Sequence, residues 1–219
     1  MEHHILNRNN TILNRFIAEL RDVKIQKDSM RFRRNLERVG EVLAYEISKT
    51  LTYKSQSVET PLGVACENLF TDSIVLATIL RAGIPFHQGF LNYFDNAQNT
   101  FVSAFRKYTE KETFSIEIEY VSTCQLSGKV LVLADPMLAT GSSLTKTYQT
   151  LVEKAGIPRW IHIAAAIASE QGVAAIEQYF AGCQNVTLWC GAVDKHLSSQ
   201  SYIVPGLGDA GDLAYGEKL

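Results

Sequence analysis

The sequence predicts an α/β fold: a parallel-sheet core with flanking helices, a projecting β arm and a glycine-rich C-terminal loop. Three observations carry this reading. Short runs rich in β-branched residues alternate with amphipathic stretches, which is the sign of βαβ units. The runs are apolar on both faces, as strands covered by helices on both sides must be. No Gly-, Ser- or Pro-rich linker interrupts the chain after its first strong helix, so one domain is expected over 1–219, with 1–28 as an N-terminal extension and 191–219 as the terminal loop.

The first element is a helix from Ser29, with Ser29 read as its N-cap and Phe32, Leu36, Val39, Leu43 and Ile47 recurring every three or four residues. Buried strands follow at Ile74 to Leu80, Thr100 to Phe105, Val130 to Ala134, Ile161 to Ala168 and Val186 to Trp189. Between them lie crossover helices from Pro85 to Phe94, from Leu144 to Lys154 with Gly156 as the stop, and from Gln171 to Phe180 with Gly182 as the stop. One segment departs from the pattern: Phe114, Ile116, Ile118 and Tyr120 alternate strictly with Ser115, Glu117 and Glu119. A strand with one wet face does not belong in the centre of a covered sheet, so it is expected in a projecting arm whose apolar face meets a second subunit. Beyond Trp189, Gly191, Pro205, Gly206, Gly208, Gly211 and Gly216 break the periodicity, while Tyr202, Ile203, Val204 and Leu207 give the tail something to bury. An ordered loop is expected there.

Lysine plus arginine number 21 against 23 aspartates plus glutamates. That near balance argues against a nucleic-acid coat or an anionic-membrane binder and favours a small ligand. The longest apolar runs fall far short of the ~18 residues of a membrane span. The polar opening Met1-Glu2-His3-His4 has no apolar run behind it, so a cytoplasmic protein is expected. Cys66, Cys124, Cys183 and Cys190 form no CxxC pair and have no histidine at zinc-ligand spacing; they are expected to be reduced, mostly buried packing residues.

Chemistry concentrates in Val130 to Ser143, VLVLADPMLATGSS. A buried strand ends in Asp135, whose carboxylate would enter the crevice beyond the carboxyl edge of a parallel sheet. Thr140-Gly141-Ser142-Ser143 then supplies hydroxyls and a closely approaching backbone where a helix opens with unpaired N–H groups. Such a turn suits a phosphate dianion. The helix dipole contributes only ~0.3–1 kcal/mol at an exposed site, so affinity must come mainly from convergent donors. In the tail, Gly206, Gly208 and Gly211 spell GxGxxG, but the dinucleotide fingerprint needs an acid about 20 residues further on, and only Asp212 to Leu219 follow. The glycines suit a tight loop whose backbone lies against a flat ligand.

Asp135 to Ser143, DPMLATGSS, resembles the phosphoribosyltransferase signature, and more narrowly the DPMLATGGS loop of the uracil phosphoribosyltransferases. The tail YIVPGLGDAGD, from Tyr202 to Asp212, resembles the hood of the same family, and RRNLERVGEVLAYEI and ILRAG extend the likeness over most of the chain. The resemblance implies a phosphoribosyltransferase-like core with a C-terminal hood loop, and conversion of uracil and 5-phosphoribosyl 1-pyrophosphate (PRPP) to UMP and pyrophosphate. PRPP would be bound by Arg81, Arg106, Asp135, Pro136, Met137, Leu138, Ala139, Thr140, Gly141, Ser142, Ser143 and Asp209. Uracil would be bound by Ile203, Gly208, Asp209 and Ala210. Arg106, Asp135 and Asp209 would be catalytic.

The implied cofactor is Mg2+, carried on the PRPP pyrophosphate and not by a protein site. A homodimer or higher homo-oligomer is expected, with no nucleic acid or membrane partner, and GTP activation, found in some relatives, stays open. Arg81 and Arg106 each follow an apolar run and so stand at strand ends over the crevice, where they would hold the leaving pyrophosphate. Three departures stand out. Ser142 replaces a glycine, which is tolerable at a position with helical dihedrals; Lys107-Tyr108 replaces an acidic run; and Leu213 to Glu217 lacks the usual basic residue. A non-catalytic PRPP- or nucleotide-binding regulator, or transfer to another base, remain the alternatives.

Overall fold

The structure is a computed structural model that describes residues 1–108 and 114–218; the side chains of 105–108 and 114–116 lie outside that description. The chain opens with β1 (Glu2–Ile5), a short 3-10 turn, α1 (Ile12–Arg21) and α2 (Ser29–Ser48), then β2 (Tyr53–Thr60) and β3 (Gly63–Phe70). The core continues with β4 (Ile74–Leu80), α3 (Gly83–Leu91), β5 (Gln98–Tyr108), β6 (Phe114–Ser122), β7 (Val130–Ala134), β8 (Met137–Leu138) and α4 (Ser142–Ala155). It closes with β9 (Trp160–Ser169), α5 (Glu170–Tyr179), β10 (Val186–Asp194), β11 (His196–Leu197), β12 (Ile203–Val204) and α6 (Ala210–Tyr215).

The main sheet runs β1-β10-β9-β7-β4-β5-β6, with β8 paired to β9. All its pairings are parallel except β5 with β6. From β4 the chain builds outward to β5 and β6, then returns to the other side of β4 with β7, β9 and β10. The direction of winding therefore reverses between β4 and β7, and in open α/β sheets the ligand crevice lies at the carboxyl ends of the strands flanking such a reversal.

The five predicted buried strands are present, and β4 and β7 match their predicted bounds. The helix stripe Phe32, Leu36, Val39, Leu43 and Ile47 is buried with α1, α3 and α6 in one core, while Leu144, Leu151, Ile176 and Phe180 of α4 and α5 and the residues after it fill a second. Glu19 of α1 ties the first core's helices together. Bonds from Arg31 and Asn35 hold its carboxyl down at about 2, against the opposing effect of burial. Gly156 and Gly182 both carry positive φ at the predicted helix stops. No helix among the described residues is long and apolar enough to cross a membrane.

Several expectations are corrected. The N-cap of α2 is Asp28, whose carboxylate accepts from Arg31 N–H at 3.0 Å, and Ser29 is the first helical residue. The helix predicted from Pro85 to Phe94 is Gly83–Leu91. The segment Phe114 to Tyr120 forms the edge strand of the main sheet, and a bulge at Glu119 breaks its alternation: Tyr120 pairs with Ser103 and Ile118 with Ala104. Ile118 and Val121 consequently pack on the second core while Tyr120 is exposed. The arm that does project is the hairpin β2–β3, which its mixed polar sequence did not announce; nearly every residue in it is exposed. The tail is not all loop, since β10 runs on to Asp194 and α6 follows the hood. Of the cysteines only Cys190 is buried; Cys66 and Cys183 are exposed and Cys124 is half-buried.

Candidate functional site

A cleft of about 570 Å³ opens at the reversal between β4 and β7, walled by Leu80 at the end of β4 with Arg81 and Ala82 after it, by Asp135, Met137, Ala139 and Ser143 after β7, and by Tyr202, Ile203, Gly208, Asp209 and Ala210 of the tail. Two segments about 60 residues apart in sequence, each singled out by its residue pattern, thus face one another across it.

On one wall, Thr140, Gly141 and Ser142 form the turn between Ala139 and Ser143, and α4 starts at Ser142. Gly141 is its N-cap in the left-handed region, with φ 79°. Ser142 has no such φ, and so stands where the missing second glycine is not needed. Its hydroxyl accepts from Thr140 Oγ1 at 3.1 Å, which places two hydroxyls beside the N–H groups at the helix start. Behind the turn, the buried Ser169 donates to the Ala139 carbonyl at 2.5 Å and accepts from Gly172 N–H at 2.8 Å, pinning the loop to the start of α5. Gly172 permits that approach: a Cβ there would lie 2.5 Å from the Ala139 carbonyl oxygen. Pro136 and Leu138 are buried away from the cleft, Leu138 in the second core. They carry the short β8 pairing to β9, with the Pro136 carbonyl accepting from Ile167 N–H.

Asp135 stands at the end of β7, its backbone N–H bonded to the Ala164 carbonyl at 3.0 Å. Burial pushes its carboxyl up to about 7, although the Met137 N–H, donating to Oδ1 at 3.2 Å, pulls the other way. An acid poised near neutrality beside a phosphate-sized turn responds to any cation or hydroxyl brought to it.

Arg81 reaches the cleft as predicted, and pairs there with Asp212 of α6 at 2.6 Å. Arg106 does not end its strand: it lies within β5, opposite Ile116, and its side chain is outside the described residues. Asp209 caps α6, accepting from Asp212 N–H at 3.0 Å, so its carboxylate is fixed at the edge of the cleft. Ser201 and Lys218 also line the cleft, and the sequence pattern did not single them out. Lys218, a basic residue beyond Glu217, lies six residues beyond Asp212, past the Gly216 cap of α6, and so outside the motif read in the sequence.

Comparison with known proteins agrees with this geometry. A family model described as Uracil phosphoribosyltransferase matches residues 7–217. The uracil phosphoribosyltransferase of Porphyromonas gingivalis is 56% identical over the full length of both chains. That of Pyrococcus furiosus is 37% identical over 93% of this chain and 85% of its own. A solved structure of a protein from Aquifex aeolicus superposes with a TM-score of 0.85 at 30% identity, covering 98% of each chain. With a match across nearly its whole length and relatives of this similarity, the chain belongs to the uracil phosphoribosyltransferase family.

Proposed function

We propose that this enzyme transfers the ribose 5-phosphate of PRPP to N1 of uracil, forming UMP and releasing pyrophosphate, as a step of pyrimidine salvage. The observation that carries the reading is convergence: Asp135, the residues Ala139 and Ser143 that flank the turn opening α4, and Ile203, Gly208 and Ala210 all line one cleft.

In this mechanism the hydroxyls and N–H groups from Thr140 to Ser143 hold the 5-phosphate, and Asp135 orients the ribose hydroxyls. Arg81 and Arg106 receive the pyrophosphate and offset its growing charge as the bond to the anomeric carbon lengthens. Uracil N1 forms the new bond to that carbon and loses its proton. The hood matches the alternating donors and acceptors of the base with its own backbone groups, so a base with the wrong pattern leaves buried groups unpaired. Among the described residues no cluster of three side chains could hold a metal ion by itself. The cleft offers the carboxylates of Asp135 and Asp209, which fits a magnesium ion that arrives on the diphosphate and keeps most of its other ligands. Such an ion would neutralise charge on the leaving group.

A homodimer is part of the proposal, with β2–β3 as the contacting arm. An isolated two-stranded hairpin is marginal in water, and this one exposes Leu62 fully and Val64 at 74%. The deciding experiment is PRPP-dependent UMP formation from labelled uracil, with cytosine, hypoxanthine and orotate as competitors. Product from uracil alone is expected; PRPP binding without product, or preference for another base, would overturn the assignment.

A further inference from the structure

Backbone readout of a flat base requires the reading strand to be fixed within a few tenths of an ångström, yet the hood has little secondary structure of its own. β11 and β12 share only two residue pairs and α6 has six residues. What fixes the turn before Gly208 is an ion pair from elsewhere in the chain. Arg21, the last residue of α1, donates from Nη1 and Nη2 to the two carboxylate oxygens of Asp194 at 2.7 and 2.8 Å. Both partners also bind the backbone of Gly206: Arg21 Nη1 donates to its carbonyl at 3.1 Å, and its N–H donates to Asp194 Oδ2 at 3.0 Å.

Gly206 is buried, with φ +56°, and a Cβ there would lie 2.0 Å from the Ile203 carbonyl oxygen. The turn therefore has one shape, and the ion pair satisfies both backbone groups of its central residue. Asp194 ends β10 and is 8% exposed, so the anchor is part of the rigid sheet. At the other end, Gln26 donates to the carbonyls of Leu20 and Arg21, which holds the end of α1 in place.

We infer that Arg21 and Asp194 are positioning residues for base recognition, clamping Gly206 so that Ile203 and Gly208 present their backbone at fixed spacing, and that the N-terminal helix α1 is thereby a component of the base site. This rests on the proposal that the hood reads uracil. Removing only one charge would strand the other in a shielded place. The test therefore uses Arg21→Lys, which keeps the charge but loses the planar fork, and the uncharged double variant Arg21→Met/Asp194→Leu.

Steady-state kinetics should show KM for uracil raised about tenfold in both variants, with KM for PRPP and kcat changed less than about threefold. Discrimination against cytosine should fall along with it. A merely structural role would lower the melting temperature and the active fraction but leave the ratio of the two KM values as in the wild type. That outcome in either folded variant overturns the inference. Amide exchange on the unaltered enzyme gives an independent readout: the Gly206 N–H should be protected like those of β10, and free exchange there would equally overturn it. Wild-type enzyme that makes no UMP would instead be a failure of the functional proposal.

Discussion

Arg81 Nη2 lies 2.6 Å from Asp212 Oδ1, and Arg81 Nη1 donates to the Gly216 carbonyl at 3.0 Å, so the guanidinium at the mouth of the cleft is engaged by the chain's own C-terminal helix. If Arg81 receives pyrophosphate as proposed, the anion would exchange for that carboxylate. The two side chains are 32% and 33% exposed, and a pair so placed is worth only about 0.2–1 kcal/mol. Asp212→Asn is therefore expected to tighten pyrophosphate binding by at most about fivefold. Arg81→Ala should weaken it by more than about tenfold through loss of a charge-assisted contact. Calorimetric titration with pyrophosphate checks both; weaker binding by Asp212→Asn would remove the competition argument.

Asp135 makes the ligand-free protein sensitive to pH. Its carboxyl titrates at about 7 in the folded chain against an ordinary value of 3.8. Between those values the folded chain keeps a proton that the unfolded chain has lost, so this group's contribution to stability falls as pH rises through the window and levels off above it. The melting temperature of Asp135→Asn relative to wild type should therefore climb from pH 4 to about 7. A cation-bearing diphosphate favours the carboxylate, so PRPP binding should release a proton near neutrality and strengthen from about pH 6 to 8. Titrations in buffers of different ionisation enthalpy would detect that proton; its absence would contradict the assigned role.

Ser169→Ala leaves the Ala139 carbonyl and the Gly172 N–H without their shared hydroxyl. A buried unpaired group costs about 1–3 kcal/mol, part of which is spent on loop movement. KM for PRPP is expected to rise about five- to tenfold while KM for uracil stays within about twofold, since the turn and the hood lie on opposite walls. Equal changes in both constants would indicate general loosening.

His162 contributes a loss of stability in acid. It is buried and accepts from Trp189 Nε1 at Nδ1, 3.1 Å away, and burial pushes its pKa down to about 4 from 6.5. Below 6.5 the unfolded chain binds a proton that the folded chain refuses, so stability is lost as pH falls from 6.5 towards 4. Relative to wild type, the melting temperature of His162→Gln should rise as pH falls from 6.5 towards 4, a difference in which the opposite contribution of Asp135 over the same window cancels; a difference that stays constant with pH would show that other groups set the acid response.

The hairpin prediction concerns assembly. Changing Val58, Leu62 and Val64 to lysine should convert a dimer to a monomer with the core melting temperature little altered, because these side chains are exposed in the single chain. Light scattering at matched concentrations decides it; a dimer that persists would place the interface elsewhere.

Local sequence was sufficient wherever one segment carries its own physics. Double-sided apolar runs gave β4 and β7 to the residue, a helical stripe gave α2, and DPMLATGSS gave an acid, a turn and a helix start in the order found. The hood glycines were likewise legible as a tight loop, since Gly206 and Gly208 both carry positive φ. Residues that act through distant partners were not legible. Ser169 gives no local sign that it supports Ala139, nor Arg21 that it meets Asp194 and Gly206, nor Lys218 that it lines the cleft. The bulge at Glu119 reversed an alternation that looked regular, and β2–β3 escaped notice because a strand with two wet faces has no hydrophobic period. Sequence by itself determined which elements form and which chemistry they can carry, since propensity and burial pattern act over a few residues. The tertiary structure alone decided which elements meet, because the order reversal at β4 and β7 and the ion pairs that fix the hood join residues far apart in the chain.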